Sequence, residues 1–277
     1  MTKNIAVIFL CKSINRQTAE FANKVAKESS YIPFIVVDEW DSDKHFSQGD
    51  LFTVVTVSDE HCKKYGYVGC NITGKETHIK KEIIAWDKML AFFCQGENEI
   101  DFAWIFEDDV FIPSVDTIKH LTEKYSANDL VVPNNFYKSY QANDWHWSHI
   151  VDKIGPPYFH SMVAACGMSR RMFDEIKKFA DTKHTLFHIE AMFNTLAMQN
   201  KELSVADPFE LKSVVWQGFW GIDEFLLLPD NVFHPVKQQG DENLHEELRE
   251  DIKDARRSNY QPINNLPDFL QKKKRYV

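Results

Sequence analysis

The stretch "AWIFEDDVFIP" (residues 103–113) sets three consecutive acids between apolar runs. The residues "FAWIF" before them read as a buried strand, so Glu107, Asp108 and Asp109 fall at its carboxyl end. In an extended chain, residues two apart point the same way, which puts Glu107 and Asp109 on one face and Asp108 on the other. Two carboxylates about 4 Å apart repel by roughly 1 kcal/mol in water, and by about 4 kcal/mol at an effective dielectric of 20. A partly buried cluster of this kind either protonates or meets a cation. Open α/β sheets bind ligands at the carboxyl ends of their strands. Location and charge together favour a divalent metal carrying an anionic ligand. A bare "EDD" serves equally well as a set of acids capping a strand on a solvated loop.

Outward from this point, strand and helix patterns alternate, as in an α/β fold. "IAVIFL" (5–10) reads as a buried first strand, residues 17–29 as a helix, "IPFIVVDE" (32–39) as a second strand and "FTVVTV" (52–57) as a third. Residues 78–94 carry Ile79, Ile83, Trp86, Leu90 and Phe93 on one helical face. Ser114 is placed to cap a helix bearing Val115, Ile118 and Leu121. "DLVVP" (129–133) is followed by a polar, aromatic stretch (134–157), and "YFHSMVAACGMS" (158–169) reads as a strand entering a helix at Arg170. Ile189, Met192, Phe193, Leu196 and Ala197 mark a further helix. Beyond Asp241 the chain is strongly charged and ends "KKKRYV", read as an appended helix and basic tail. The pattern alone gives an α/β class with an appended C-terminal helix.

The 277 residues are 44% hydrophobic and include 21 Phe, enough to bury a sizeable core. The formal charge of -9 argues against nucleic-acid binding, which needs a basic surface. The expectation is a soluble, cytoplasmic protein, with no signal peptide or transmembrane segment in view. Cys11, Cys62, Cys70, Cys94 and Cys166 are odd in number and lack C-x-x-C spacing, so they read as reduced thiols, not as a disulfide frame or zinc site.

A second segment bears on the acids. "NVFHPVKQQG" (231–240) places His234 after a short apolar run and Lys237 three residues later. His is a common metal ligand and Lys a point-charge partner for phosphate. With these residues in view, the chain resembles the nucleotide-sugar-dependent glycosyltransferases of the GT-A fold. "IFEDDVFIP" looks like their D-x-D-type motif, "HPVK" like their late His and nearby Lys, and "AWDKML" (85–90) like the helix flanking their donor site. The likeness covers roughly residues 4–240. Size and the lack of a membrane anchor look most like the small soluble glycosyltransferases of large algal DNA viruses, a xylosyltransferase among them.

The resemblance implies an α/β GT-A (Rossmann-like) domain over 1–240, a central mixed sheet flanked by helices and followed by a C-terminal helical tail, with a nucleotide-sugar half to about 112 and an acceptor half from 113. It implies Mn²⁺ or Mg²⁺ as cofactor, a UDP-sugar as donor and a glycan as acceptor. Asp109 would bind the metal and His234 would complete its site. Glu107 would face the donor's ribose or sugar, Asp108 would assist through water or sugar hydroxyls, and Lys237 would touch the diphosphate. The first acid is Glu where the strict pattern has Asp, which bears on the ribose contact more than on the metal contact. Mixed oxygen and imidazole ligation suits Mn²⁺ better than Mg²⁺.

On the donor side, Lys12 and Ser13 follow the first strand, and Asp38 ends the second. Asp87 and Lys88 leave the apolar seam of their helix, to reach the donor or to form an exposed charge pair, whereas Trp86 reads as core packing. An inverting transfer needs a carboxylate base. Glu190 sits at a helix start, where the dipole favours its ionised form, and Asp223 and Glu224 in "GIDEF" are rivals exposed by the Gly221 turn. A retaining transfer needs none of them. Trp145 and Trp147 in a polar loop are the favoured acceptor platform, with Trp216, Phe219 and Trp220 as a second aromatic group. Two further classes share some of these features: a nucleotidyltransferase or other metal-dependent phosphotransferase, which needs carboxylates for two metals, and a non-catalytic glycan-binding protein.

Overall fold

The structure is a computed structural model that describes residues 3–39, 50–71, 82–96, 99–138, 147–237, 243–263, 265–267 and 270. Four strands, β1 (Ile5–Cys11), β2 (Ile32–Val37), β3 (Thr53–Val55) and β4 (Phe102–Glu107), run parallel in the order β3-β2-β1-β4. Their near-continuous apolar runs follow from burial on both faces. Along β1, Ala6, Ile8 and Leu10 enter one core cluster while Val7 and Phe9 enter the other. The sheet then turns mixed. β4 pairs antiparallel with β8 (Ala165–Ser169), β8 pairs antiparallel with β5 (Leu130–Val131), and β5 lies parallel to β9 (Val205–Ala206). β6 (Phe136–Lys138) and β7 (Tyr158–His160) form a separate antiparallel pair. The central mixed sheet expected from the sequence is therefore present, with seven strands.

Helices cover both faces. α1 (Arg16–Glu28) and α4 (Val115–Tyr125) pack on one side through Phe21, Val25, Ile118 and Leu121. α3 (Ala85–Gln95), α6 (Arg170–Lys183) and α7 (Ile189–Gln199) pack on the other through Trp86, Phe93, Phe173 and Phe193. Side-chain caps set several starts: Asn15 accepts from the Thr18 amide and Ser114 from the Thr117 amide, as expected for Ser114. The helix expected from residue 78 begins instead at Ala85; residues 78–81 lie outside the described residues, and Ile83 is buried just before the helix. Short helices α2 (Asp59–Lys64) and α5 (Trp147–Ile150) lie in connections.

A third cluster joins Phe111, Phe225 and Phe233 to α8 (Ile222–Leu227) and α9 (Leu244–Arg257). The charged segment after residue 241 is thus a helix docked on the sheet domain; the basic tail lies outside the described residues. All five cysteines are buried free thiols. Among the described residues, no helix is long and apolar enough to cross a membrane.

Candidate functional site

β4 delivers Glu107 to the sheet's carboxyl edge. Ala103 and Ile105 face the α3 side, and Glu107 follows them by the two-residue period. There it meets Trp86, whose Nε1–H donates to Glu107 Oε1 at 2.7 Å. Asp108 and Asp109 form the turn that follows, closed by the Val110 amide on the Glu107 carbonyl at 3.0 Å. The chain then pairs with a distant segment. Phe111 and Phe233 exchange two backbone hydrogen bonds of 2.8 and 3.0 Å, and the Val236 amide donates to the Asp109 carbonyl at 2.8 Å.

This pairing brings His234 to the acids, with Nε2 at 3.3 Å from Asp109 Oδ1. Its other nitrogen, Nδ1, donates to the Val215 carbonyl at 2.7 Å, which leaves Nε2 turned to the carboxylates. One ligand atom each from Glu107, Asp109 and His234 lies within 4.8 Å of the others. Lys237 Nζ stands 3.9 Å from Asp109 Oδ2. Two carboxylates and one imidazole with a fixed tautomer form a donor set that fits a divalent cation of mixed preference.

The electrostatics point the same way. Burial, with the charge of Asp109 adding to it, raises the Glu107 carboxyl against the opposing bond from Trp86. Burial and then Asp109 push Asp108 up to about 6. Burial alone would raise Asp109 too, but the hydrogen bond and charge of His234, with Lys237 beyond, hold it below its ordinary value. Burial works against the His234 cation, yet Asp109 and the Val215 carbonyl raise its pKa. Burial and mutual repulsion raise Glu107 and Asp108 despite the His234 and Lys237 charges nearby, and a bound cation would relieve that strain.

Two clefts meet at this cluster. One, of about 220 Å³, is lined by Cys11, Lys12, Asp38, Trp86 and the three acids. The other, of about 840 Å³, shares Glu107 and Asp109 and is walled by Trp216, Phe219, Trp220, His234 and Lys237. Lys12 and Asp38, read as donor-side residues, both line the smaller cleft, while Ser13 is half-buried and does not. Asp87 and Lys88 are not an exposed pair: they are 0% and 7% exposed. Asp87 accepts from the Cys70 and Ile84 amides at 3.1 and 2.9 Å, fixing the start of α3. Lys88 Nζ holds the Asp38 carbonyl at 2.8 Å and Asp59 at 3.1 Å, one layer behind the cleft wall. Trp86, read as packing alone, is buried and also grips Glu107. The signal for it was in the pattern: the α3 seam faces the strand residues of Glu107's parity, so its first aromatic meets the last of them.

Among the three proposed bases, Glu190 lies in the first turn of α7, with His188 Nε2 3.7 Å from its carboxylate. Its carbonyl accepts from the Ser161 amide. The connection from β7 to β8 continues through Met162, on the larger cleft, to Ala164, whose carbonyl takes the Glu107 amide. Asp223 is buried, not exposed by the Gly221 turn, and accepts from Tyr260 Oη and the Ile263 amide at 3.0 and 3.2 Å. Glu224 accepts from the Gly221 amide at 3.0 Å, capping α8. The two aromatic groups differ in exposure. Trp147 is 5% exposed and packs on Tyr158 and His160, and Trp145 lies outside the described residues. Trp216 and Phe219 are 74% and 98% exposed on the larger cleft, and Trp220 Nε1 donates to the His234 carbonyl at 3.1 Å. Phe219, read together with Trp216 and Trp220, stands beside Trp216 on this cleft.

No family model matches the chain, and no curated protein matches it. Two solved structures of the galactosyltransferase LgtC are similar to it. One, in complex with donor and acceptor sugar analogues, has a TM-score of 0.43 at 10% identity over 73% of this chain and 72% of that one. The other, an active-site mutant, has a TM-score of 0.45 at 11% identity over 97% of this chain and 99% of that one.

Proposed function

We propose that the chain is a metal-dependent glycosyltransferase of the GT-A type, moving a sugar from a UDP-sugar to a glycan hydroxyl with inversion. The observation that carries this reading is the set Glu107, Asp109 and His234, within 4.8 Å at the carboxyl edge of the sheet, with Glu107 and Asp109 shared by two clefts. Those three residues would hold the ion. When bound, it supplies countercharge for the departing nucleoside diphosphate. Lys237 adds an exposed cation on the same side, and Lys12 and Asp38 would meet the nucleotide in the smaller cleft. Trp216 and Phe219 present open aromatic faces in the larger cleft, suited to a sugar ring, with Trp220 backing them. Glu190 is the base we assign, because Asp223 and Glu224 are engaged with backbone amides. Among the described residues only one such ligand set forms, which favours this reading over a two-metal phosphotransferase.

The test is calorimetry with UDP, followed by a screen of UDP-sugars, UDP-xylose included, for Mn²⁺-dependent release of UDP and for the anomeric form of the product. UDP affinity should fall at least tenfold on chelation and in Asp109→Ala. Affinity indifferent to chelator would sink the metal reading, and a retained anomer would remove Glu190 from its role.

A further inference from the structure

We propose that α9 braces the candidate metal site, with His245 as the positioning residue. The inference rests on the metal reading above. A helix as charged as "LHEELREDIKDARR" has a bland fate as a solvated cover, yet two of its polar side chains, His245 and Arg249, are each 3% exposed. Both are aimed at the backbone around the three acids.

Three links converge there. The His245 Nε2–H donates to the Val236 carbonyl at 2.9 Å, and the amide of that same Val236 donates to the Asp109 carbonyl at 2.8 Å. The His245 amide donates to Gln17 Oε1 at 3.1 Å, and Gln17 Nε2 donates to the Asp108 carbonyl at 3.3 Å. Arg249 Nε donates to the Ile112 carbonyl at 3.0 Å, while its guanidinium lies 3.9 Å over the Phe21 ring and is anchored by Glu246 at 3.0 Å. The backbone on both sides of Asp109 is therefore tied to one helix, twice through a single intermediary. Val236 is two residues from His234, so the first link sets the separation of the imidazole from the carboxylate. Groups that orient ligands from behind are worth about 10- to 100-fold in metal affinity.

The experiment compares three variants in the full chain. His245→Phe keeps a ring against Phe111 but removes the donor, His245→Gln restores a donor, and Ile252→Ala weakens the same helix by truncating a buried side chain. Amide exchange is read by NMR without metal, and Mn²⁺ affinity by calorimetry. In His245→Phe, exchange at the Val236 amide should quicken at least tenfold relative to Phe233, and Mn²⁺ should bind about tenfold more weakly. His245→Gln should recover most of both, and Ile252→Ala should melt lower with Mn²⁺ affinity within about twofold. The brace is overturned if Val236 exchange is unchanged in His245→Phe, or if Ile252→Ala weakens Mn²⁺ as much as His245→Phe does. If the wild-type chain binds no Mn²⁺, the metal reading falls, and exchange at Val236 still decides whether the brace exists.

Discussion

Trp86 and Glu107 meet because a helix seam and a strand face share one side of the sheet, and their 2.7 Å bond has a consequence for pH. The indole N–H favours the ionised carboxylate, opposing the burial that raises it. In Trp86→Phe that opposition is gone, so Glu107 titrates higher still and a proton competes harder with a cation. Mn²⁺ affinity should therefore weaken more steeply in Trp86→Phe than in the wild type as pH falls, with the difference closing as pH rises. Calorimetric pH profiles that superimpose for the two proteins would contradict this. The pairing of Asp109 with His234 was legible, since acids at a strand end and a late His are distinctive by type and place. Glu107, read as facing the donor's ribose or sugar, joins that cluster only in the fold. Asp87, Asp223 and Trp147 were not legible. Their roles depend on the Cys70 amide, on Tyr260 and Ile263, and on the β7 residues Tyr158 and His160, partners that local pattern cannot supply.

The central strands were readable as continuous apolar runs, and α1 and α4 by their caps and seams. α9 was harder, because its apolar stripe is thin: Leu244, Leu248 and Ile252 alternate with charge. Its buried His245 yields a signature of docking. Burial depresses this imidazole to about 4, against the opposing bond to the Val236 carbonyl. The folded chain thus keeps His245 neutral where the unfolded chain protonates it below about 6.5. Its contribution to stability is complete above that value and is lost as pH falls toward 4. Between pH 7 and 5, the stability advantage of wild type over His245→Phe should shrink by roughly 2 kcal/mol. Urea denaturation at several pH values measures this; a constant difference would mean that the imidazole is not held neutral.

At the scale of the molecule, the question is whether residues after 240 are an addition to the domain or part of its core. The charge pattern suggests an addition. The packing points the other way: Phe111, two residues past Asp109, sits in a cluster with Phe225, Phe233, Ile252 and Leu270. That cluster flanks the pairing of Phe111 with Phe233, which brings His234 to the acids. Removing one buried Ile or Leu side chain commonly costs about 2–5 kcal/mol. Deleting residues 243–277 removes several at once and leaves Phe111 and Phe225 facing water. The sum is comparable to the roughly 5–15 kcal/mol that holds a whole domain together. The truncated chain should therefore melt at least 10 °C lower or fail to fold, and the full chain should unfold in one cooperative step by calorimetry and circular dichroism. A truncated chain that melts with the full-length protein would show that the acids, His234 and the sheet stand without α9, and that the Phe111 cluster contributes little to holding them.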